Sequence, residues 1–197
     1  VPLNRKMGVL GTTLAAKLGL TRAYNCLSTD GTVHITVLQR LALSHGHTGR
    51  RILNLHPLIQ ALLAEPRVGH VWIAAFETMP IVTQLRYLAS TDVLISPHGA
   101  GLNNVLLMHP CAVVIELFGA GGRKDNGYRW LNKSGVQQPR VYMAYTDTYC
   151  PPHENDLCSL GDGLSDGRDL TLSNMPALLD VVRHAIQISL ACRKRAF

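Results

Sequence analysis

The residues best suited to chemistry lie in one short stretch, from His98 through Gly101 to Glu116. The apolar run before His98 predicts a buried strand, and Gly99 and Gly101 predict a tight turn, because glycine tolerates backbone angles that a Cβ forbids. The residues after this turn have the composition of a short helix. A strand, a glycine-rich turn and a helix N-terminus predict an anion site, since free N–H groups and the helix dipole point at the ligand.

Two further features favour a nucleotide as the ligand. His98 is a titratable ring at the predicted carboxyl end of a strand, which is where open α/β sheets bind ligands. Glu116 is an acid at the end of an otherwise apolar strand, and a carboxylate there suits ribose hydroxyls. Similar turns also occur in α/β proteins that bind nothing there, and Asn104 replaces the third glycine of the dinucleotide fingerprint.

The sequence DVLISPHGAGLNNVLLMHP, followed by VVIELF, resembles the signature of glycosyltransferase family 61. Asn103 is the one clear departure within the turn, where the family usually has threonine. The resemblance implies a Rossmann-like α/β fold with a doubly wound parallel sheet, as one half of a GT-B type glycosyltransferase. It also implies an inverting transferase that moves a hexosyl or pentosyl group from a nucleotide sugar, with UDP as the expected nucleotide, to a glycan or glycoprotein acceptor.

The resemblance also assigns residues to the donor site. Arg40 follows the first predicted strand and Arg51 begins an R-x-x-N segment, and both are expected to bind the donor diphosphate. Arginine suits this role because its planar fork binds phosphate oxygens and stays charged. Without the resemblance, two solvated loop arginines would be the simpler interpretation. The other expected donor-binding residues are His98, Gly99, Ala100, Gly101, Leu102, Asn103 and Glu116.

The general base of the expected reaction is not fixed by the sequence. His98 is the candidate catalytic residue within this chain. A residue of the N-terminal domain that the resemblance implies is at least as strong a candidate, because a two-domain transferase reacts in the cleft between its halves.

No metal site and no cofactor are expected. The chain lacks the D-x-D motif with which metal-dependent sugar transferases hold Mn²⁺ or Mg²⁺, and arginines can take over that role. His45 and His47 form an H-x-H in a glycine-rich loop, but a structural metal site usually needs four ligands. The net charge of +6 favours anionic partners. No long basic run indicates nucleic acid, and the basic cluster from Arg193 to Arg195 is predicted to be a frayed tail.

Strand and helix patterns alternate from Val33 to Tyr145, which predicts a parallel sheet covered on both faces. The 197 residues are expected to form one nucleotide-sugar-binding domain, with its core at about 33–145, a loop over 146–172 and a C-terminal helix over 173–193. No apolar run reaches the length of a membrane span. The resemblance implies a larger, membrane-anchored protein of the Golgi or endoplasmic reticulum lumen, whose N-terminal domain is absent here.

Two asparagines are candidate helix caps, because a side-chain oxygen before a helix can accept a bond from its first free N–H groups. Asn54 precedes a helix predicted from Leu55 to Glu65. Either Ser173 or Asn174 is predicted to cap the C-terminal helix.

The chain has five cysteines. Cys150 and Cys158 flank a proline-rich loop and, given the lumenal location that the resemblance implies, are predicted to form a disulfide. Cys26, Cys111 and Cys192 look isolated, and Cys111 is predicted to be a buried apolar side chain.

Two other functions stay open at this point. A nicotinamide- or flavin-dependent enzyme could use the same turn and place Glu116 on an adenosine ribose. The missing third glycine and the arginines that follow an earlier strand argue against that enzyme class. The second alternative is a non-catalytic family member that binds a glycan or another partner.

Overall fold

A computed structural model of the chain describes residues 13, 16–19, 31–41, 50–118, 141–146 and 169–196. Strands and helices alternate through these segments, which confirms the α/β class predicted from the sequence. In chain order the elements are strand β1 (Val33–Leu38), helix α1 (Leu55–Leu63), strand β2 (Val68–Ala74), a 3-10 turn (Phe76–Thr78), helix α2 (Ile81–Ala89), strand β3 (Val93–Pro97), a 3-10 helix (Ala100–Leu107), strands β4 (Val113–Phe118) and β5 (Val141–Thr146), and helix α3 (Met175–Ala196).

The five strands form one parallel sheet in the order β2-β1-β3-β4-β5. The central strands β1, β3 and β4 are continuous apolar runs, as expected for strands buried on both faces. The strand order reverses between β1 and β3. In open α/β sheets, ligands bind outside the carboxyl ends of the strands at such a reversal. The topology therefore singles out the carboxyl ends of β1 and β3.

Both faces of the sheet are covered, which makes it a doubly wound, Rossmann-like sheet. Alternate strand residues point to opposite faces. On one face the core combines strand residues with residues of α1 and α3: Ile35, Ile95, Ile115, Leu58, Leu62, Leu178 and Val182. On the other face it combines strand residues with residues of α2 and the 3-10 helix: Leu38, Leu94, Val114, Leu88, Leu102 and Val105.

The two predicted asparagine caps have different outcomes. Asn174 caps α3, since the backbone N–H of Ala177 donates to its Oδ1 at 3.1 Å. Asn54 precedes α1 but makes no side-chain cap, so that prediction is wrong. Its amide instead donates to the carbonyl of Leu172 and accepts from the N–H of Leu172, both at 2.9 Å. Asn54 therefore bonds to the backbone of a distant segment and not to the first N–H groups of α1.

The amino ends of the strands carry a buried charged cluster formed by Asp92, His109 and Arg193. His109 Nε2 lies 3.1 Å from Asp92 Oδ1, and the Arg193 guanidinium pairs with the same carboxylate. Arg193 is 8% exposed, so the prediction that it lies in a frayed tail is wrong. Because α3 runs to Ala196, this residue still belongs to the helix and faces the sheet. We call these three residues the amino-end cluster.

A disulfide joins Cys111 to Cys192 next to the amino-end cluster, across 81 residues of sequence. The prediction that these two cysteines are isolated is therefore wrong, because packing of α3 on the sheet brings them together. Cys150 and Cys158 lie outside the described residues, as does most of the loop predicted over 146–172. No helix in the described segments is long and apolar enough to cross a membrane.

Candidate functional site

A cleft of about 250 Å³ opens at the carboxyl ends of β1 and β3, where the strand order reverses. The volume lies slightly below the roughly 300–1,000 Å³ of ligand pockets in general. It therefore suits a compact polar group better than a whole large ligand. Much of its lining is polar or is backbone without a side chain: Gln39, Arg40, Glu77, Gln84, Ser96, Asn104, Gly99 and Gly101.

Gly99 lets two guanidinium groups approach the backbone at the end of β3. Its φ of 158° lies in a region that is essentially open to glycine alone. A Cβ at this position would lie 2.7 Å from Nη1 of Arg40 and 3.3 Å from Nη1 of Arg50. The tight turn predicted from the glycines is thus confirmed, and the helix that follows it is a 3-10 helix.

Arg40 reaches this turn from the end of β1. Its Nε donates to Oε1 of Glu77 at 2.6 Å, and its side chain keeps 29% exposure. Glu77 comes from the 3-10 turn after β2, which ends beside β1 in the sheet. Glu77 was not predicted as a site residue, although a carboxylate following a neighbouring parallel strand is a usable signal.

Arg50 and Arg51 are adjacent in sequence but have different partners. Nη1 of Arg50 donates to the carbonyl of His98 at 2.8 Å, beside Gly99. The guanidinium of Arg51 binds Asp169 instead, with Nε and Nη2 at 3.0 and 2.5 Å from Oδ2. The hydrogen bond from Arg51 holds the pKa of Asp169 below its usual range. The structure therefore brings Arg40 and Arg50 together at the turn, and it does not bring Arg51 there.

His98 and Glu116 form a pair at the carboxyl ends of β3 and β4. Nδ1 of His98 lies 2.5 Å from Oε1 of Glu116, which is fully buried, whereas the ring keeps 21% exposure. The ring also stacks on Phe118, with centroids 5.3 Å apart. A carboxylate at Nδ1 fixes the orientation and the tautomer of an imidazole. The ribose contact predicted for Glu116 stays a prediction, and its described contact is with His98.

The other predicted donor-binding residues follow the turn directly. Ala100, Gly101, Leu102 and Asn103 lie in the 3-10 helix, and the N–H of Leu102 donates to the carbonyl of Gly99 at 3.0 Å. The side chain of Leu102 is fully buried in the core. Gly101 lines the cleft. Contacts of these residues with a donor stay predictions.

The family model Glycosyltransferase 61 matches residues 16–115, which cover half of the chain and include the Gly99 turn and all three arginines. The chain belongs to glycosyltransferase family 61. The family resemblance found in the sequence is thereby confirmed. Glu116 follows directly after the matched segment.

Curated relatives of this family 61 chain carry the name EGF domain-specific O-linked N-acetylglucosamine transferase. The protein from Xenopus laevis is 34% identical over 92 residues, which are 46% of this chain and 17% of the relative. The protein from Drosophila melanogaster is 35% identical over 69 residues, 35% of this chain and 13% of the relative. The Mus musculus protein is 34% identical over 93 residues, which are 45% of this chain and 16% of the relative. The chain thus spans less than a fifth of the length of these relatives.

A metal site was not expected in this family 61 chain. In the segments that the structure describes, no group of three histidine, cysteine, aspartate or glutamate side chains could hold a metal ion. His45 and His47 lie outside those segments. Independence from metals and cofactors stays a prediction.

Proposed function

We propose that this chain is the donor-binding domain of an inverting, metal-independent glycosyltransferase that uses a UDP-linked sugar. The observation that carries the proposal is the approach of the Arg40 guanidinium to the backbone of Gly99, at the reversal of strand order in a parallel sheet. A planar guanidinium beside a turn without a side chain suits a diphosphate, because both offer N–H donors to its oxygens. Membership of family 61 favours a nucleotide sugar over a nicotinamide or flavin cofactor.

In the proposed reaction, an acceptor hydroxyl oxygen attacks the anomeric carbon as the bond from that carbon to the diphosphate breaks. UDP leaves with the bonding electrons, and the hydroxyl proton passes to a base. Fixed positive charge at the turn stabilises the charge that develops on the leaving diphosphate. In this proposal, the leaving diphosphate is stabilised by Arg40, by an arginine of the segment 50–51 and by the backbone at 98–103.

We assign the general base to His98. Glu116 holds Nδ1 of the ring, so the proton is received on Nε2. The buried carboxylate also fixes the orientation of the ring for this transfer. Glu116 thus acts on the reaction through His98 in this proposal.

We further propose that the acceptor is bound by a second domain, in a two-domain protein of the GT-B type. The proposed location is the lumen of the Golgi or endoplasmic reticulum, in a membrane-anchored protein. The Cys111–Cys192 disulfide supports a lumenal location, since disulfides persist in oxidising compartments. The relatives' names make N-acetylglucosamine the first sugar to test and an EGF domain the first acceptor.

The test is a transfer assay with the full-length protein that contains this chain. UDP-sugars are offered one at a time with EGF-domain and glycan acceptors, with and without EDTA, and products are read by mass spectrometry and NMR. We expect transfer with inversion at the anomeric carbon, unchanged by EDTA. His98→Gln should still bind UDP but lose transfer.

Three results would count against parts of the proposal. Activity that vanishes with EDTA and returns with Mn²⁺ would show that a metal is required. Binding of UDP without any transfer would favour the non-catalytic alternative. Quenching of tryptophan fluorescence by NAD and not by UDP would favour a nicotinamide-dependent enzyme.

A further inference from the structure

We propose that Arg50, and not Arg51, supplies the second guanidinium of the diphosphate site, and that Arg51 fastens the C-terminal segment to the sheet. This inference rests on the proposed function, because it names a ligand-binding residue of the same site. The two arginines are adjacent in sequence and carry the same side chain, so their different surroundings decide between them.

The backbone of Arg50 is held in an unusual conformation. Its φ is 43°, and it is the one described residue other than glycine with a positive φ. L-residues with a side chain rarely adopt this left-handed region, and they keep it where the surroundings fix it, often at functional sites. Here the conformation accompanies a guanidinium whose Nη1 lies 2.8 Å from the carbonyl of His98. That position is beside Gly99, where Nη1 of Arg40 also lies.

The charge at the turn is not balanced by the carboxylates that the structure describes. Arg40 is paired with Glu77 at 2.6 Å. Within the described segments no carboxylate forms an ion pair with Arg50, whose hydrogen bond goes to a neutral carbonyl. A diphosphate between the two guanidinium groups would supply the missing negative charge, in the bidentate geometry that arginine prefers.

Arg51 is instead part of a hydrogen-bonded clamp. Besides its guanidinium contacts, its backbone N–H donates to Oδ1 of Asp169 at 2.8 Å. The N–H of Leu170 donates to the carbonyl of Arg51 at 2.6 Å, and the N–H of Leu53 donates to the carbonyl of Leu170 at 2.8 Å. Asn54, the other end of the R-x-x-N segment, binds the backbone of Leu172 twice. Both polar side chains of that segment therefore hold residues 169–172.

The experiment compares Arg50→Gly with Asp169→Asn and Arg51→Ala in the 197-residue chain. Calorimetry gives the Kd of UDP and of inorganic pyrophosphate, and thermal unfolding gives Tm. Arg50→Gly should raise the Kd of UDP about tenfold to a hundredfold, as expected for a lost charge-assisted bond. Its Tm should be kept or raised, because glycine adopts a positive φ without strain.

The two clamp variants should behave in the opposite way. Asp169→Asn should lower Tm and leave the Kd of UDP unchanged, because it releases residues 169–172 without touching the turn. Arg51→Ala should lower Tm, with a smaller change in Kd than Arg50→Gly. If Arg51→Ala does not fold at all, its structural role is supported, and Asp169→Asn carries the comparison of affinities.

Failure of the inference can be told apart from failure of the proposed function. If Arg51→Ala weakens UDP binding more than Arg50→Gly does, Arg51 is the ligand and the inference is wrong, although the donor site stands. If the unaltered, folded chain binds neither UDP nor pyrophosphate, both the inference and the proposed function are wrong.

Discussion

The two ends of the sheet hold charged side chains in opposite surroundings. At the carboxyl ends of the strands, Arg40 and His98 keep 29% and 21% exposure, and Arg40 lines a cleft. At the amino ends, Asp92 and His109 are at most 1% exposed and contact each other, and Arg193 of α3 pairs with Asp92. The same residue types are therefore open to a ligand at one end and enclosed by the protein at the other.

The pKa of Asp92 shows what the enclosed end does. Burial by itself would raise this pKa, but the hydrogen bond from His109 and the positive charge of Arg193 outweigh burial, so the pKa lies below its ordinary value. A buried carboxylate that stays charged in this way fastens α3 to the sheet. Charge at the amino ends therefore serves stability, whereas charged side chains at the carboxyl ends are available for binding.

The largest effect is expected from Arg193→Ala. It leaves the charge of Asp92 buried without its strongest cation, and breaking a buried ion pair in this way destabilises proteins by about 3–5 kcal/mol. The affinity for UDP should not change at temperatures where the variant is folded. Urea unfolding measures the first effect and calorimetry the second.

Lys194→Ala is the matched control for Arg193→Ala. Lys194 lies one residue further along α3 and is exposed. Its loss should therefore change the free energy of unfolding by no more than about 0.5 kcal/mol. Equal losses from both variants would mean that the amino-end cluster contributes nothing specific.

The next largest effect concerns the disulfide. Cys111→Ser together with Cys192→Ser should lower the free energy of unfolding by about 2–4 kcal/mol, mainly because the unfolded chain is no longer constrained. UDP affinity should again be kept. Urea unfolding of the unaltered chain with and without reductant should give the same difference in the free energy of unfolding. A free energy of unfolding that does not change with reductant would argue against this bond.

At the other end of the sheet, Gly99→Ala should weaken UDP binding about tenfold, which corresponds to about 1.4 kcal/mol. The added Cβ would meet Nη1 of Arg40 at 2.7 Å and push the guanidinium from the turn. Gly19→Ala is the control, since Gly19 also has a positive φ but open space around its Cβ position. Calorimetric Kd values that are equal for both variants would contradict the role of the Gly99 turn.

The smallest effect should be seen in the pH dependence of stability. The pKa values of Asp92 and Asp169 are both lowered in the folded chain. Their contributions are therefore complete above the unfolded pKa of about 3.9 and are lost as the pH falls through the folded value. Urea unfolding is measured between about pH 2 and 6, the range in which these groups titrate. The free energy of unfolding should depend less on pH for Asp92→Asn than for the unaltered chain. Asp169→Asn should flatten it less, because Asp169 is partly exposed and water screens its pair with Arg51.

Local features of the sequence were sufficient to predict much of the fold. Continuous apolar runs such as Val93–Ile95 and Val113–Ile115 predicted buried parallel strands, because strands of this kind need no alternation. Gly99 predicted the turn, because few other residues adopt its backbone angles. The family was identified from the same stretch.

The pairings between distant segments could not be predicted. Asp169 lies 118 residues from Arg51, and Cys192 lies 81 residues from Cys111, so packing alone brings each pair together. The left-handed backbone of Arg50 carried no signal either, since glycine, asparagine or aspartate would be the usual indication. The family resemblance assigned the diphosphate to Arg51, and it placed neither Arg50 nor Glu77 beside the Gly99 turn.

Hydrogen–deuterium exchange with and without saturating UDP tests the division between the two ends most directly. We expect UDP to slow amide exchange at 38–41 and 98–105 and to leave exchange at 109–113 and 188–194 unchanged. Slowed exchange that is confined to the amino-end segments, or no change in any segment, would contradict the claim that the carboxyl ends of β1 and β3 bind the donor.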